Sequence, residues 1–241
     1  ALETPGGLKI QTIHAFCERL LARFPLEAGV PPGFDIADEA RAAAMLGQAR
    51  ADAALAPDAP REAFRRFAAK LHGEGLEGLL DRLALRRAEF HRYAQAHDPP
   101  LFAYQALRDR HGVSEGADDY ARGFVGRVDW ASVQSAAALL ATGSAQDQQT
   151  AERLVTALHC ARTSPRDAMP ACFAFALTSE GTVRSKLVTA KLQAQQPWLE
   201  PFLRQLAEDV ADARARLNAI ERAEDAIAAM ALALKLDQAY A

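Results

Sequence analysis

The sequence predicts a mainly α-helical fold of many helices, with one small β-hairpin and a short strand-helix unit at its start. Fifty-four of the 241 residues are alanine, the residue with the highest helix propensity. Proline and glycine clusters divide the alanine-rich sequence into segments of helical length. Only two segments depart from the helical pattern, so a helical body is the expected framework of the chain.

The first departure is the opening segment "GLKIQTIHAFCERLLARF", residues 7–24. Leu8 and Ile10 alternate with polar residues, which predicts the end of a buried strand near Thr12. A helix should follow, with the core residue Phe16 on its apolar face. A single strand is not stable alone in water, so we expect residues 1–30 to be the edge of a larger α/β domain. The apolar face of this helix comprises Phe16, Leu20, Leu21 and Phe24.

A succession of helices is predicted between residues 38 and 161. Asp38 is a good N-cap residue for the first of them, which should stop before Pro57. In 75–96, leucines and Phe90 recur at three- and four-residue spacing, and this pattern indicates a face packed on a core. The predicted ranges are 38–56, 60–71, 75–96, 100–110, 118–127, 130–141 and 146–161.

The second departure is "ACFAFALTSEGTVRSKLVT", residues 171–189. Large apolar residues alternate with small ones from Phe173 to Leu177, as in a strand with one buried face. Ser179–Gly181 should form a turn, and the returning strand should place Arg184 and Lys186 on the opposite side. The pattern predicts a β-hairpin with Phe173 in the core and a basic outer edge.

The last forty residues predict one long helix that begins near Pro197 and Pro201. Apolar residues step alternately by three and four, a repeat of about 3.5 residues. A helix that crosses the core of its own domain and a homodimeric coiled coil both fit this repeat. The first is favoured because the repeat contains alanines and the flanking positions lack systematic opposite charges. Its members are Leu203, Leu206, Val210, Ala213, Leu217, Ile220, Glu224, Ile227, Ala231 and Leu234.

Composition limits the classes of site and partner. The formal net charge is −3, so a surface for a charged partner must be a local patch. The longest apolar run, Ala226 to Leu234, is too short for a membrane span, and we expect a cytoplasmic chain with no membrane partner. Cys17, Cys160 and Cys172 fit neither disulfide nor zinc spacing and are expected to be buried reduced thiols. The six histidines do not reach metal-ligand spacing, so no metal site is expected.

Several segments carry a resemblance. "LKIQTIHAFCERLLARFPLEAGV", residues 8–30, resembles the motif of superfamily 1 DNA helicases of the UvrD and RecB type. In that family, a strand of the first RecA-like motor domain ends in Thr-x-His-x-Phe, and Thr12 to Cys17 look most like the AddA subunits of bacterial AddAB helicase-nucleases. "FDIADEARA", "FALTSEGTVRSKLVTAKL" and "AIAAMALALKLDQAYA" agree with the family in order. The match is most specific in 8–30, moderate in 172–192 and low between them.

The resemblance implies two parts: 1–30 as the C-terminal edge of RecA-like motor domain 1A, and 31–241 as the helical insertion called subdomain 1B. It implies that the full-length parent uses ATP and Mg to unwind and resect double-strand breaks, together with an AddB-type subunit. The sequence lacks the G-x-x-x-x-G-K-[ST] phosphate loop, the Asp-Glu pair that holds magnesium, and a carboxylate cluster for nuclease chemistry. This piece alone should therefore have no catalytic residue and no cofactor.

Five residues are candidates for DNA contact. From the pattern alone, Thr12 and His14 should cap the helix that follows them; the resemblance implies that they contact single-stranded DNA instead. Arg184, Lys186 and Lys191 form a local positive edge that is suited to duplex phosphates. We expect such binding to be weak, independent of base sequence and sensitive to salt.

Two alternatives remain open from the sequence. Residues 61–92 hold eight cations against five acids, and a solvated helix face is slightly favoured over a second DNA-contact surface. The chain as a whole could instead be a helical interaction module with no DNA role, which binds a partner chain through the long C-terminal helix.

Overall fold

The computed structural model describes residues 12–97 and 100–238, and the side chains of His14, Glu39 and Pro100 lie outside this description. The ranges contain twelve helices and no β-strand, so the prediction of a mainly α fold is confirmed. The helices are α1 (Ile13–Arg23), α2 (Glu39–Leu55), α3 (Ala59–Lys70), α4 (Glu74–Leu85), α5 (Arg87–Ala96), α6 (Pro100–Arg110), α7 (Ala117–Arg127), α8 (Trp130–Leu140), α9 (Ala145–Thr163), α10 (Pro165–Ala176), α11 (Ala190–Gln195) and α12 (Leu199–Gln238).

Helix α12 is the axis on which the other helices pack. It contacts α2 to α7 and α10. Its N-terminal half lies in an apolar cluster with α7 to α10, and its C-terminal half lies in clusters with α2 to α6. Four consecutive residues, Met230 to Ala233, are buried, which requires neighbours on every side of the helix. The interpretation of α12 as a helix that crosses the core of its own chain is therefore confirmed.

The predicted range 75–96 forms two helices instead of one. α4 ends at Leu85 and α5 begins at Arg87, and Arg86 between them has φ −102° and ψ 10°. Leu80 and Leu83 are buried, as their spacing predicted. Neither proline nor glycine stands at this junction, so residue type alone does not mark the change of direction.

The predicted β-hairpin is wrong in its first strand, since Cys172 to Ala176 belong to α10. Ser164 caps α10 by accepting a hydrogen bond from the Asp167 N–H at 3.3 Å, and Pro165 occupies the first turn, where its missing N–H costs nothing. One isolated antiparallel bridge joins Leu177 to Val183. The predicted turn lies inside this bridge.

The opening segment is only partly within the described residues. Leu8 and Ile10, the predicted strand, lie outside them. α1 follows Thr12 as predicted, but Phe16 is 50% exposed and the expectation that it belongs to the core is wrong for the described residues. Leu20 and Phe24 are similarly exposed, because α1 shares no extensive contact with another described helix.

The cysteines differ in burial. Cys172 is buried and Cys160 is half-buried, but Cys17 is exposed on α1, so the expectation of three buried thiols is wrong for Cys17. Burial and the nearby Cys160 raise the pKa of Cys172 to about 12. Within the described ranges, none of the helices combines the length and the apolar character needed to cross a bilayer.

Candidate nucleic-acid interface

Three of the five candidate residues lie in one stretch, residues 181–196, which we call the basic segment. The segment contains Arg184, Lys186 and Lys191 and no Asp or Glu. It leaves the Leu177–Val183 bridge, where the Arg184 N–H donates to the Ala176 carbonyl at 2.9 Å. It then runs along α9 and α12 before it forms α11. The three cations thus lie on one short segment of the chain, although that segment is not a hairpin.

The middle of the basic segment is anchored to α9 by Asp147. This side chain is fully buried. Its oxygens accept the Thr189 N–H at 2.8 Å and the Thr189 hydroxyl at 2.7 Å. The same carboxylate accepts the Ser144 N–H and hydroxyl, both at 2.9 Å. One carboxylate therefore caps α9 and fixes the basic segment.

The start of the basic segment is anchored to α12 by Arg204. The Arg204 guanidinium donates to the carbonyl oxygen of Arg184 at 2.8 Å and to that of Ser185 at 2.9 Å. Glu200 accepts two further bonds from the same guanidinium, at 3.0 and 3.2 Å. The donors of Arg204 are thus used in contacts within the fold. The backbone is held at two carbonyl groups, those of Arg184 and Ser185.

The three candidate cations have different surroundings. Lys186 and Lys191 are exposed and make no hydrogen bond or ion pair with the described residues. Arg184 is half-buried: its Nη2 donates to the Ala174 carbonyl at 3.3 Å, and its Nε is buried without a hydrogen-bond partner. The two lysines are therefore unpaired at the surface, whereas the unpartnered Nε of Arg184 is enclosed by the fold.

A further cation, Arg153 of α9, was missed by sequence reasoning. It is half-buried and has no hydrogen bond or ion pair among the described residues. Burial and, as the smaller cause, the positive charge of Arg184 lower the pKa of Arg153. No sequence pattern singled out Arg153, because it lies alone among uncharged and acidic neighbours of α9.

The other two candidates lie at the start of α1. The Thr12 Oγ1 accepts a hydrogen bond from the Ala15 N–H at 3.2 Å, so Thr12 performs the capping role that its pattern predicted. His14 is the second residue of α1, and its side chain is outside the description. Thr12 remains exposed, and a cap at an exposed helix start leaves the neighbouring N–H groups open to an anion.

Several cations of residues 61–92 are paired with acidic groups or carbonyl groups of the same chain. Arg66 binds Glu224 at 2.9 Å and Asp225 at 2.6 Å on α12, and Lys70 binds Asp225 at 2.8 Å. The Arg61 guanidinium donates to the carbonyl groups of Leu55 and Ala56. Arg86 pairs with Glu89, and Arg87 lies 3.7 Å from Asp237. Several cations of residues 61–92 are therefore already paired within the fold, whereas Lys186 and Lys191 are not.

The likeness to helicases rests on the sequence motifs alone. No protein family, curated protein or solved structure matches the chain. The described residues contain no group of three or more His, Cys, Asp or Glu side chains placed to hold a metal ion. The clearest feature of this region is exposed positive charge on a segment whose backbone is anchored by Asp147 and Arg204.

Proposed function

We propose that this chain is the DNA-contacting part of an ATP-dependent DNA helicase-exonuclease of the AddA type, which unwinds and resects double-strand breaks in the cytoplasm for recombinational repair. In this proposal, residues 1–30 are the edge of the RecA-like motor domain 1A and 31–241 are the helical subdomain 1B. An AddB-type subunit is the expected partner of the full-length parent.

The observation that carries the proposal is the basic segment, a carboxylate-free stretch with two unpartnered exposed lysines on a backbone fixed by Asp147 and Arg204. Lysine and arginine that neutralise phosphates supply the sequence-independent part of DNA affinity. Fixing the backbone in advance reduces the ordering that binding would otherwise require. This arrangement suits contact with a duplex backbone better than recognition of a base sequence.

The opening motif supports the motor-edge part of the proposal. Thr12, His14 and Phe16 match the Thr-x-His-x-Phe pattern, and α1 begins directly after the threonine. Phe16, Leu20 and Phe24 leave a half-exposed apolar face on α1. In the proposed parent, the remaining motor domain covers this face, and Thr12 and His14 contact single-stranded DNA.

The residues of this chain do not fit an ATP-magnesium site. The G-x-x-x-x-G-K-[ST] loop, whose backbone N–H groups hold the phosphates, is missing from the sequence. We assign ATP hydrolysis and the nuclease reaction to other parts of the proposed parent, and no step of either reaction to this chain.

The alternative, a partner-binding module that works through the C-terminal helix, has less support. α12 contacts seven other helices of its own chain, and many of its residues are buried by those contacts. A partner chain would have to displace them to reach the same apolar residues.

A titration with labelled duplex DNA that has a single-stranded tail, at low and moderate salt, tests the proposal. We expect the Lys186→Gln/Lys191→Gln double variant to weaken binding for every DNA sequence alike. The slope of log affinity against log salt should decrease by about two, since each lost phosphate contact removes about 0.9. Neither lysine has a described partner, so stability should not change.

Arg65→Gln/Arg82→Gln is the matched control. It removes the same charge from two exposed cations of residues 61–92 and should leave binding almost unchanged. Failure of the unmodified chain to bind the tailed duplex would refute the proposal. Equal weakening by both double variants would mean that net charge, and not the basic segment, determines binding.

A further inference from the structure

We infer that this chain self-associates, with helix α1 of one copy seated in a cleft between α7 and α12 of a second copy. The inference goes beyond the proposed function and does not rest on it. It joins two surfaces of the same chain, an apolar helix face with a positive edge and an apolar cleft with an acidic rim. The motor domain of the proposed parent and this cleft are alternative covers for α1, and a solution of this chain contains only the cleft.

The first surface is the apolar face of α1. Ile13, Phe16 and Leu20 follow one another at spacings of three and four residues, and Phe24 continues the row. These four side chains are 45–67% exposed, and α1 shares no extensive contact with another described helix. A row with this spacing is the pattern by which an amphipathic helix enters an apolar groove.

The charges of α1 are divided between its sides. With about 100° of rotation per residue, Arg19 and Arg23 lie at one edge of the apolar face, and Glu18 lies on the opposite side. The Arg23 guanidinium is 5.7 Å from the centre of the Phe24 ring, which keeps this cation beside the apolar row. The face that α1 presents is therefore apolar with a positive edge.

The second surface is a cleft of about 550 Å³ between α7 and α12. Its apolar lining packs on the core with one side and faces the cleft with the other. The Trp198 ring is 40% exposed, lies 5.7 Å from the Phe202 ring, and extends this apolar wall along α12. A cleft of this size can take several apolar side chains. The apolar lining residues are Tyr120, Phe124, Val128, Phe202, Leu206 and Ala213.

The rim of the cleft is acidic. Asp129, Asp209 and Asp212 line it together with one cation, Arg127. Asp212 makes no hydrogen bond or ion pair with the described residues. Opposite charges around an apolar contact favour the correct partner and its orientation. The cleft is therefore complementary to α1 in both apolar character and charge.

A second copy is the partner because both surfaces belong to the same chain. An apolar patch that complements a pocket elsewhere on the same molecule makes a head-to-tail contact between copies. Within one copy, α1 has no extensive contact with α7 or α12. The helix that fills the cleft therefore comes from another copy.

Sedimentation velocity of the intact chain over a range of concentrations is the first test. We expect the mean mass to rise with concentration, whereas Phe16→Ala/Leu20→Ala should remain monomeric. Both side chains are about half exposed, so circular dichroism should show an unchanged fold. A reducing buffer prevents the exposed Cys17 from cross-linking copies.

The second test is binding of a fluorescently labelled peptide of residues 12–27 to the Phe16→Ala/Leu20→Ala chain, whose clefts are free. Fluorescence anisotropy measures the affinity. Adding Asp209→Lys/Asp212→Lys to this chain should weaken binding of the peptide about tenfold, because two attractions to Arg19 and Arg23 become repulsions. A peptide with Arg19→Glu/Arg23→Glu should bind the reversed cleft more tightly than the original one, and this rescue shows that the reversed chain is still folded.

Glu152→Lys/Glu208→Lys in the same chain is the matched control. It reverses two exposed carboxylates that do not line the cleft and changes the net charge by the same amount. The original peptide should bind this variant as tightly as before.

Three outcomes would overturn the inference: a chain that stays monomeric at every concentration, self-association without peptide binding, or equal peptide affinity for the reversed cleft and the control. Binding of tailed duplex is measured separately. Loss of duplex binding alone refutes the proposed function, and loss of peptide binding alone refutes this inference.

Discussion

Asp147 shows how one side chain can serve two parts of the fold. Its carboxylate is fully buried and accepts four hydrogen bonds, two from Ser144 at the start of α9 and two from Thr189 in the basic segment. Burial opposes ionisation, but the hydrogen bonds from Thr189 and Ser144 outweigh it, and the pKa of Asp147 lies below its usual value. The ionised form is therefore the one that the folded chain selects.

Asp147→Asn should lower the free energy of unfolding by about 1–3 kcal/mol at neutral pH, because the asparagine NH₂ would face donors and leave them unsatisfied. Urea denaturation measures this loss. Asp119→Asn, which removes a carboxylate that is 65% exposed from α7, is the control and should leave the midpoint unchanged. An unaltered midpoint for Asp147→Asn would show that this carboxylate does not hold the basic segment.

The loss should depend on pH in a defined direction. Since the pKa of Asp147 is lower in the folded chain, its stabilisation is present above the unfolded pKa of about 3.9 and disappears as pH falls through the folded value. The difference in unfolding free energy between the unmodified chain and Asp147→Asn should therefore be constant near neutral pH and shrink below about pH 4.

Local chemistry made some residues predictable and others not. Asp38 and Thr12 act as helix caps, as their types and positions predicted. The exposure of Cys17 and Phe16 was not predictable from their helical spacing, because that pattern shows only which residues share a face. What covers the face depends on the rest of the fold.

α10 shows how a helix can resemble a strand in sequence. Phe173, Phe175 and Leu177 alternate with alanines, but Met169, Cys172 and Phe175 are the buried residues at helical spacing. Pro170 lies inside the helix, where proline is disfavoured, and this weakened the helical signal. The cap formed by Ser164, with Pro165 and Asp167 after it, was the sequence signal that identifies the helix.

Alanine substitutions in α10 distinguish a helix from a strand. Phe175 is 1% exposed, so Phe175→Ala should cost about 3–5 kcal/mol of unfolding free energy. Phe173 is half-buried against the core and lies 5.6 Å below the Arg214 guanidinium, and Phe173→Ala should cost about 1–2 kcal/mol. Urea denaturation compares the two. Equal losses would indicate one shared buried face and would favour the β-hairpin.

The contact between α3 and α12 combines apolar packing with partly buried charges. Burial opposes ionisation of Asp225, but hydrogen bonds and charges from Lys70 and Arg66 lower its pKa. The side chains of Arg66 and Asp225 are 22% and 34% exposed, so solvent screens the pair only in part. Glu224 also accepts a hydrogen bond from Arg66 and one from the Ala117 N–H, the latter at 3.1 Å. The start of α7 is therefore joined to the contact between α3 and α12.

A double-mutant cycle with Arg66→Ala and Asp225→Ala should give a coupling energy of about 1–2 kcal/mol, because the two charges are close and partly shielded from water. The exposed pair of Arg122 and Asp119, whose side chains are 70% and 65% exposed, is the matched control and should show no measurable coupling. Equal coupling in both cycles would mean that burial does not strengthen the α3–α12 pair.

The arrangement of helices was less predictable than the helices themselves. Helix propensity, capping residues and breaks indicated α2, α3, α6, α7, α8 and α9 close to their observed bounds, and apolar spacing indicated α12. Spacing carries no information about which helix lies beside which, so the division of α12 between two sets of partners could not be predicted.

The N-terminal and C-terminal halves of α12 pack on different helices. We therefore expect the two halves of the core to unfold separately when α12 is interrupted in its middle. Both tryptophans, Trp130 and Trp198, belong to the half formed with α7 to α10: Trp130 packs on that cluster, and the Trp198 ring lies 5.7 Å from that of Phe202. Tyr93 and Tyr104 lie in the other half, beside Met230. Tryptophan fluorescence therefore reports one half, whereas circular dichroism reports all helices.

Asn218 is exposed in the middle of α12, so Asn218→Pro interrupts the helix without removing a core side chain. Proline in a helix interior costs about 3 kcal/mol. In the unmodified chain, continuous α12 should make both signals change together in urea. In Asn218→Pro, part of the circular dichroism should be lost at lower urea than the tryptophan signal, because the interrupted α12 no longer couples the unfolding of the α2–α6 half to that of the other half.

Asn218→Ala, which keeps the helix intact, should retain one shared transition. Coincident transitions in Asn218→Pro would show that contacts outside α12 are sufficient to couple the two halves.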